Sequence, residues 1–326
     1  MSDFDIPLWP VGSSAPKKTS DRWKIRECHL FPSGRAALTN SLLGYGFGRE
    51  DLIWVPQFSS HCVLSAVGKV SRPTSAMGSS ISAALVYEQW GWPFSKDARD
   101  DLVHLGKSTK IIIDSVDTPL TDMSASPAAG YDFHHVRVWS LGKTLGAIGG
   151  GLLTDDQSNF RRSTKKEAGR VEIDEDFLLR IGSVGLAPID FFRQNSSHAS
   201  REVIEMARTR VLESALKEEE SNRRKNIQTI VSAGITQEWS PWMLSFLERG
   251  GAPGIAPLGI GRPDRDLKKA KHLLAEKLGV ETSVYNFNSS GHPFKPRFDK
   301  CLAVPTHSQV KIEKMQDLVA EVSKTL

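Results

Sequence analysis

"WSLGKTLGAIGGG", residues 139–151, puts a lysine three residues after a serine and just ahead of three consecutive glycines. An amine in so small-residued a loop is either an ordinary exposed turn lysine or a group with chemistry to do. On both sides of it the sequence is apolar: "VRVWSLGK" leads in, and "GGGLLTDD" leads out. Both read as strands, so Lys143 sits at the end of one and before the next. A lysine stripped of water at such a place would have a lowered pKa and become a nucleophile near neutrality.

Working outward, helix and short apolar strand alternate. "SGRAALTNSLLGYG" reads as a helix begun by Ser33 or Gly34 and stopped by Gly44. "DLIWVP" is a strand, "FSSHCVLSAVGKV" a helix, and "SAALVYEQWG" holds a strand. "KDARDDLVHLGK" is an amphipathic helix, and "KIIIDSV" a buried strand. That order predicts an α/β layer with a mostly parallel, two-sided sheet. From residue 200 the character changes to a long charged helix, and "KEEESNRRK" (217–225) reads as a solvated helix face. A Gly/Pro-rich loop follows (249–265), then two strand–helix units that predict a smaller α+β domain. The division expected is an N-terminal arm at 1–25, a large domain at 26–232 and a small C-terminal domain at 233–326.

Bulk properties exclude several classes. The chain has 326 residues, is 39% hydrophobic and 25% charged, and has a net charge of only +4. This is the composition of an ordinary globular protein, with no basic field for nucleic acid or a membrane surface. Cys28, Cys62 and Cys301 lack metal-ligand spacing and are odd in number, which fits a reducing, cytoplasmic setting. The start "MSDFDIPLWP" is acidic and has no apolar run of signal-peptide or membrane-spanning length.

Three positions combine into one chemistry. Asp114 ends a strand of three isoleucines, where parallel sheets place ligands; alone, it could simply cap the next segment. Ser33 and Gly34 begin a helix, where free N–H groups and the helix dipole bind phosphate; alone, Ser33 could be a plain N-cap. Lys143 comes third. Pyridoxal phosphate (PLP) needs a phosphate cradle, an acid for its pyridine nitrogen and a lysine for a Schiff base.

The chain resembles the DegT-type, nucleotide-sugar aminotransferases among the fold-type-I PLP enzymes. "SGRAALTNSLLGYGFGREDLIWVPQFSSHCVLSAV", "ALVYEQWGWP", "IIIDSVDT", "VWSLGKTLGAIGGGLLTDD" and "KCLAVPTHSQVKIEKMQDLVAEV" are similar to that family's blocks, in the same order. The resemblance is strong in 30–155, weak in 160–245 and fair after 255. It implies that Lys143 forms the internal aldimine and later moves the substrate proton. It implies that Asp114 keeps the pyridine nitrogen protonated, and that Ser33, Gly34, Arg35 and Ser140 hold the phosphate. It also implies a mostly parallel large-domain sheet of about seven strands, and a homodimer, with Asn195 as the candidate residue reaching across it. The reaction implied takes an amino group from an amino acid such as glutamate to a keto group on a nucleotide-linked deoxy sugar or related intermediate.

Several positions depart from the family pattern. Ser60 stands where an aromatic residue stacks on the ring, with His61 next in line for that role. Asp117 stands where Gln or His meets the ring oxygen. Arg35 replaces a threonine. These departures motivate two rival readings: another PLP reaction (dehydration, elimination or condensation), or a non-catalytic sensor or partner protein. Trp90 and Trp92 read as core or dimer packing, and His292 and His307 as structural.

Overall fold

The computed structural model describes residues 4–10, 28–31, 33–78, 80–118, 135–145, 151–155 and 210–326. Its first half is built on a sheet of seven strands. In chain order these are β1 (Cys28–Phe31), β2 (Leu52–Trp54), β3 (Arg72–Thr74), β4 (Ile81–Tyr87), β5 (Lys110–Asp114), β6 (His135–Ser140) and β7 (Gly151–Asp155). Across the sheet the order is β1-β7-β6-β5-β4-β2-β3. The five strands from β6 to β3 are mutually parallel, and β7 runs antiparallel to both β6 and β1. The sheet is therefore mostly parallel, as the alternation of helix and strand predicts. Strand β1 is not among the strands expected from the sequence.

Helices α1 (Gly34–Gly44), α2 (His61–Gly68) and α3 (Lys96–Gly106) cover the sheet's two faces. Because strand side chains alternate, residue parity sorts the core. Ile53, Val55, Ala83, Leu85, Ile112, Val136 and Val138 meet Ala37, Leu38 and Leu42 of α1 and Ala66 and Val67 of α2. Trp54, Ala84, Val86, Ile111 and Ile113 face the other way, against Ala98 and Leu102 of α3. Continuing the first parity to the strand ends carries Tyr87, Asp114 and Ser140 onto the α1 side. In the register, Tyr87 pairs with Asp114 and Asp114 with Val138, so three neighbouring strands present their ends together.

The turn from β1 into α1 crosses β7 very closely. A Cβ on Gly151 would lie 2.1 Å from the Ser33 carbonyl oxygen, and one on Gly34 would lie 3.2 Å from Ser140 Cβ. Gly151, the last of the three consecutive glycines after Lys143, is thus needed for backbone approach. Gly151→Ala is expected to cost about 1–3 kcal/mol through overpacking, seen as a lower Tm in thermal unfolding.

A second core gathers α5 (Arg210–Ser232), α6 (Pro241–Glu248), α7 (Asp264–Leu278), α8 (Ile312–Ser323) and a three-stranded antiparallel sheet. That sheet has the order β8 (Ile255–Leu258), β10 (Phe298–Pro305), β9 (Ser283–Asn288). Ile6 and Leu8 join this core, and Ile6 bridges to Val280. Trp92 sits at its centre among Trp239, Trp242, Phe246 and Phe287. The charged stretch 217–225 is only partly a solvated face: Glu219 and Arg223 are buried, while Lys217, Glu218 and Lys225 are exposed. Helical spacing of four puts Glu219 and Arg223 on the buried side together.

Candidate active site

At the C-terminal ends of β4, β5 and β6 lies a cavity of about 640 Å³, within the size range of small-molecule sites. Ser33, Gly34, Arg35, Ser60, Tyr87, Asp114, Ser140 and Lys143 all line it. Of the positions expected from sequence, seven are therefore brought together. Asp117 lies immediately behind the lining, fully buried. His61 does not join them: it is exposed and borders a separate open groove with Arg49 and Lys69. The ring-stacking role expected of it finds no support in that position, because α2 turns its first residue outward. Asn195 lies outside the described residues.

Lys143 sits in α4 (Leu141–Leu145), a five-residue helix directly after β6. Its Nζ is 3.1 Å from Asp117 Oδ1 and 5.1 Å from the centre of the Trp9 ring, so a residue of the N-terminal arm overlies the amine. Asp117 Oδ2 accepts a short hydrogen bond from the Tyr87 hydroxyl. Burial opposes charge on Lys143, but Asp117 and then Asp114 outweigh it and hold the amine's pKa above the usual lysine value. This corrects the expectation of a lowered pKa. Desolvation was legible in the sequence; the facing carboxylate was not. Asp117→Asn is therefore expected to lower the pH at which the Lys143 amine becomes reactive. Lysine-specific labelling followed across pH checks it.

Asp114 is buried and accepts a hydrogen bond from the Val116 N–H at 3.2 Å. Desolvation raises its pKa to about 7; Lys143 opposes the shift, and Asp117 and Glu88 add to it. Such a carboxyl is short of a cation. Burial, and then Asp117, likewise push the Tyr87 hydroxyl well above its ordinary pKa, so Tyr87 stays protonated and donates. The turn carrying Asp117 is braced by buried Glu88, which accepts from Ser115 Oγ at 2.5 Å and pairs with Arg137 at 2.9 Å.

At the start of α1, the Ser33 hydroxyl accepts the Ala36 N–H at 3.2 Å. It thus caps its own helix, and the first-turn amides of Gly34 and Arg35 have no partner within the helix. Ser60, at the N-cap of α2, makes no cap bond and lies 2.9 Å from Cys62 Sγ. Phe58 stands at the cavity mouth, 63% exposed and with φ +63°, edge-on to Phe298. A strained, exposed aromatic at a cavity mouth is the kind of backbone outlier that clusters at functional sites. Trp90 lines the cavity but stacks on Phe287, so the Trp90–Trp92 pair is chiefly core packing.

His292 and His307 are structural. His307 Nε2 lies 2.8 Å from the Pro7 carbonyl, and burial brings its pKa down to about 4. His292 Nε2 is 3.2 Å from Asp101, and burial lowers its pKa despite that carboxylate. Tyr87 and Trp9 are the site residues that sequence reasoning missed. The two-residue period from Leu85 would have found Tyr87; nothing in the arm's sequence points to Trp9.

Solved structures match nearly the whole chain. A DegT DnrJ EryC1 StrS aminotransferase from Brucella abortus is 14% identical, covers 92% of this chain and 86% of that one, and has a TM-score of 0.61. Helicobacter pylori PseC, an aminotransferase involved in the biosynthesis of pseudoaminic acid, is 14% identical over 92% and 87%, TM-score 0.61. NtdA from Bacillus subtilis, with bound cofactor PMP, is 14% identical over 92% and 74%, TM-score 0.59. No curated protein matches in sequence. The fold is that of the fold-type-I PLP transferases.

A family model described as "Putative PLP-dependent aminotransferase" matches residues 22–238, two thirds of the sequence. The chain belongs to that family, and its cofactor is PLP. An aminotransferase family does not support the rival readings of another PLP reaction or of a non-catalytic partner. The residues fit the cofactor on the chain's own terms: a cation-poor buried carboxyl at Asp114, an amine at Lys143 and open helix-start amides share one cavity. No helix among the described residues is long and apolar enough to cross a membrane.

Proposed function

We propose that this chain moves an amino group from an amino-acid donor, glutamate, to the keto group of a deoxy sugar carried on a nucleotide or of a related biosynthetic intermediate. The observation that carries the reading is the convergence of Lys143, Asp114 and the α1 start on a single cavity. The sugar acceptor is supported by the fold shared with the DegT DnrJ EryC1 StrS aminotransferase and with PseC; the donor is the one the sequence resemblance implies.

When bound, PLP supplies an electron sink for the carbon that loses a proton. The chain's residues supply everything else. Lys143 would hold the cofactor, and its amine would carry the proton to and from the substrate carbon. The Asp114 carboxylate would keep the pyridine nitrogen protonated and would gain a cationic partner in its buried setting. The amides of Gly34 and Arg35, with the Ser140 hydroxyl, would hold the phosphate, and Ser33 keeps that helix start in shape. Asp117, held by Tyr87, stabilises the ammonium form of Lys143 whenever the amine is free. The working form is a cytoplasmic homodimer with Asn195 reaching the partner's phosphate, and with an arm at 1–25, a large domain at 26–232 and a small domain at 233–326.

The test is a visible absorption scan of the protein with PLP, followed by glutamate. A yellow band that bleaches on adding glutamate, with release of 2-oxoglutarate, supports the reading. A band that forms but does not respond to glutamate overturns the donor, and a colourless protein overturns the whole assignment.

A further inference from the structure

Helix α5 carries a buried charged pair that contributes nothing to the cavity lining. Glu219 and Arg223, one turn apart, are 3% and 1% exposed. Arg223 Nε donates to Glu219 Oε1 at 2.5 Å, and Glu219 Oε2 accepts the Ser308 N–H at 3.2 Å. A buried guanidinium is expensive unless its N–H groups are used, and here both remaining nitrogens reach the active site's backbone. Nη1 donates to the Asp117 carbonyl at 3.0 Å, and Nη2 donates to the Thr144 carbonyl at 3.0 Å. Asp117 bears the carboxylate that faces Lys143, and Thr144 is the residue after Lys143. The fork is planar and rigid, so it fixes the separation of the two carbonyls it holds. Gly254 leaves it room: a Cβ there would lie 2.8 Å from Nη1 and 3.1 Å from the Asp117 oxygen.

We propose that Arg223 is a positioning residue for the reactive amine: acting from outside the cavity, it ties the Lys143 segment to the Asp117 segment and so sets the 3.1 Å contact between amine and carboxylate. The proposal rests on Lys143 being the reactive amine. Lysine in its place would be a single ammonium on a flexible stem and could not hold both carbonyls and Glu219 at once.

The experiment labels the full chain, freed of cofactor, with acetic anhydride across pH and reads each lysine by peptide mass spectrometry. Arg223→Lys is compared with wild type, with Asp117→Asn as the direct loss of the counter-ion, and with Ile230→Val as a variant that loosens the same helix away from the site. The expected result is labelling of Lys143 faster than wild type by at least about threefold near pH 8 in Arg223→Lys. The change has the same sign as in Asp117→Asn, while other lysines and Ile230→Val are unchanged. Lys143 labelling that matches wild type, or an equal change in Ile230→Val, overturns the proposal.

If Arg223→Lys gives no cooperative melt, two further variants read the same contact. One is Arg223→Met combined with Glu219→Gln, which leaves no unpaired buried charge; the other is Gly254→Ala, which crowds Nη1. Because labelling is read without PLP, it stands apart from the cofactor test. A colourless wild-type protein defeats the proposed function, whereas unchanged Lys143 labelling defeats only the role of Arg223.

Discussion

Lys143→Ala should abolish both the visible cofactor band and turnover, with kcat reduced by at least ~10⁴-fold, since it removes the covalent tether and the proton carrier in one change. The fold should survive. Lys143 is 37% exposed on its side chain, so its loss opens little of the core; Asp117 and Asp114 lose the cation that faces them, and Asp117 keeps its hydrogen bond from Tyr87. The variant should therefore melt cooperatively while remaining colourless with PLP. Absorption and steady-state rates on the same preparation check both halves, and a variant that keeps its band removes Lys143 from the chemistry.

Asp114→Asn should cost ~10²–10⁴-fold in kcat, because an amide cannot keep the pyridine nitrogen protonated. It should also stabilise the cofactor-free protein, and the sign follows from linkage. The folded-state pKa of Asp114 is raised to about 7, above its value in the unfolded chain. Its contribution to stability is thus fully present only in acid and is lost as pH rises through 7. Above neutrality the buried carboxylate is a burden of order 2–4 kcal/mol, which asparagine does not carry. The Tm of the cofactor-free variant should exceed that of wild type at pH 8, and the two should converge near pH 4. Saturation with PLP should close the gap at pH 8 by stabilising wild type more, since only its carboxylate gains an ionic partner. A variant that is less stable than wild type at pH 8 would contradict this account of the acid.

The two predictions separate what the sequence carried from what it did not. Asp114 and Lys143 were legible because each follows a run of strand residues, and the ends of parallel strands share one edge of a sheet. Ser33 and Gly34 were legible through helix-start chemistry. Gly151 was visible as a glycine, but its purpose, a backbone approach to Ser33, depends on β1 pairing with β7, which no local pattern encodes. Strand β8 was hidden because Pro257 lies in it; the strand is at the sheet's edge, where proline is tolerated.

The largest misreading concerned charge. In sequence, Lys143 reads as a lysine acidified by burial, with no sign that Asp117 faces it. In the fold each answers the other, and Tyr87 and Arg223, from elements 30 and 106 residues from Asp117, hold the arrangement. Electrostatics of this kind depends on which segments meet, so it emerges only with the tertiary structure. The stretch 217–225 makes the same point: its alternating charges suggest solvent, yet the packing selects two of them for burial.

The central claim is tested most directly by incubating the protein with PLP, reducing with borohydride, and mapping the adduct by peptide mass spectrometry. The account predicts one reduced cofactor adduct, on Lys143 Nζ, absent from Lys143→Ala and present in Asp117→Asn. An adduct on a different lysine, or no adduct at all with saturating cofactor, would contradict it.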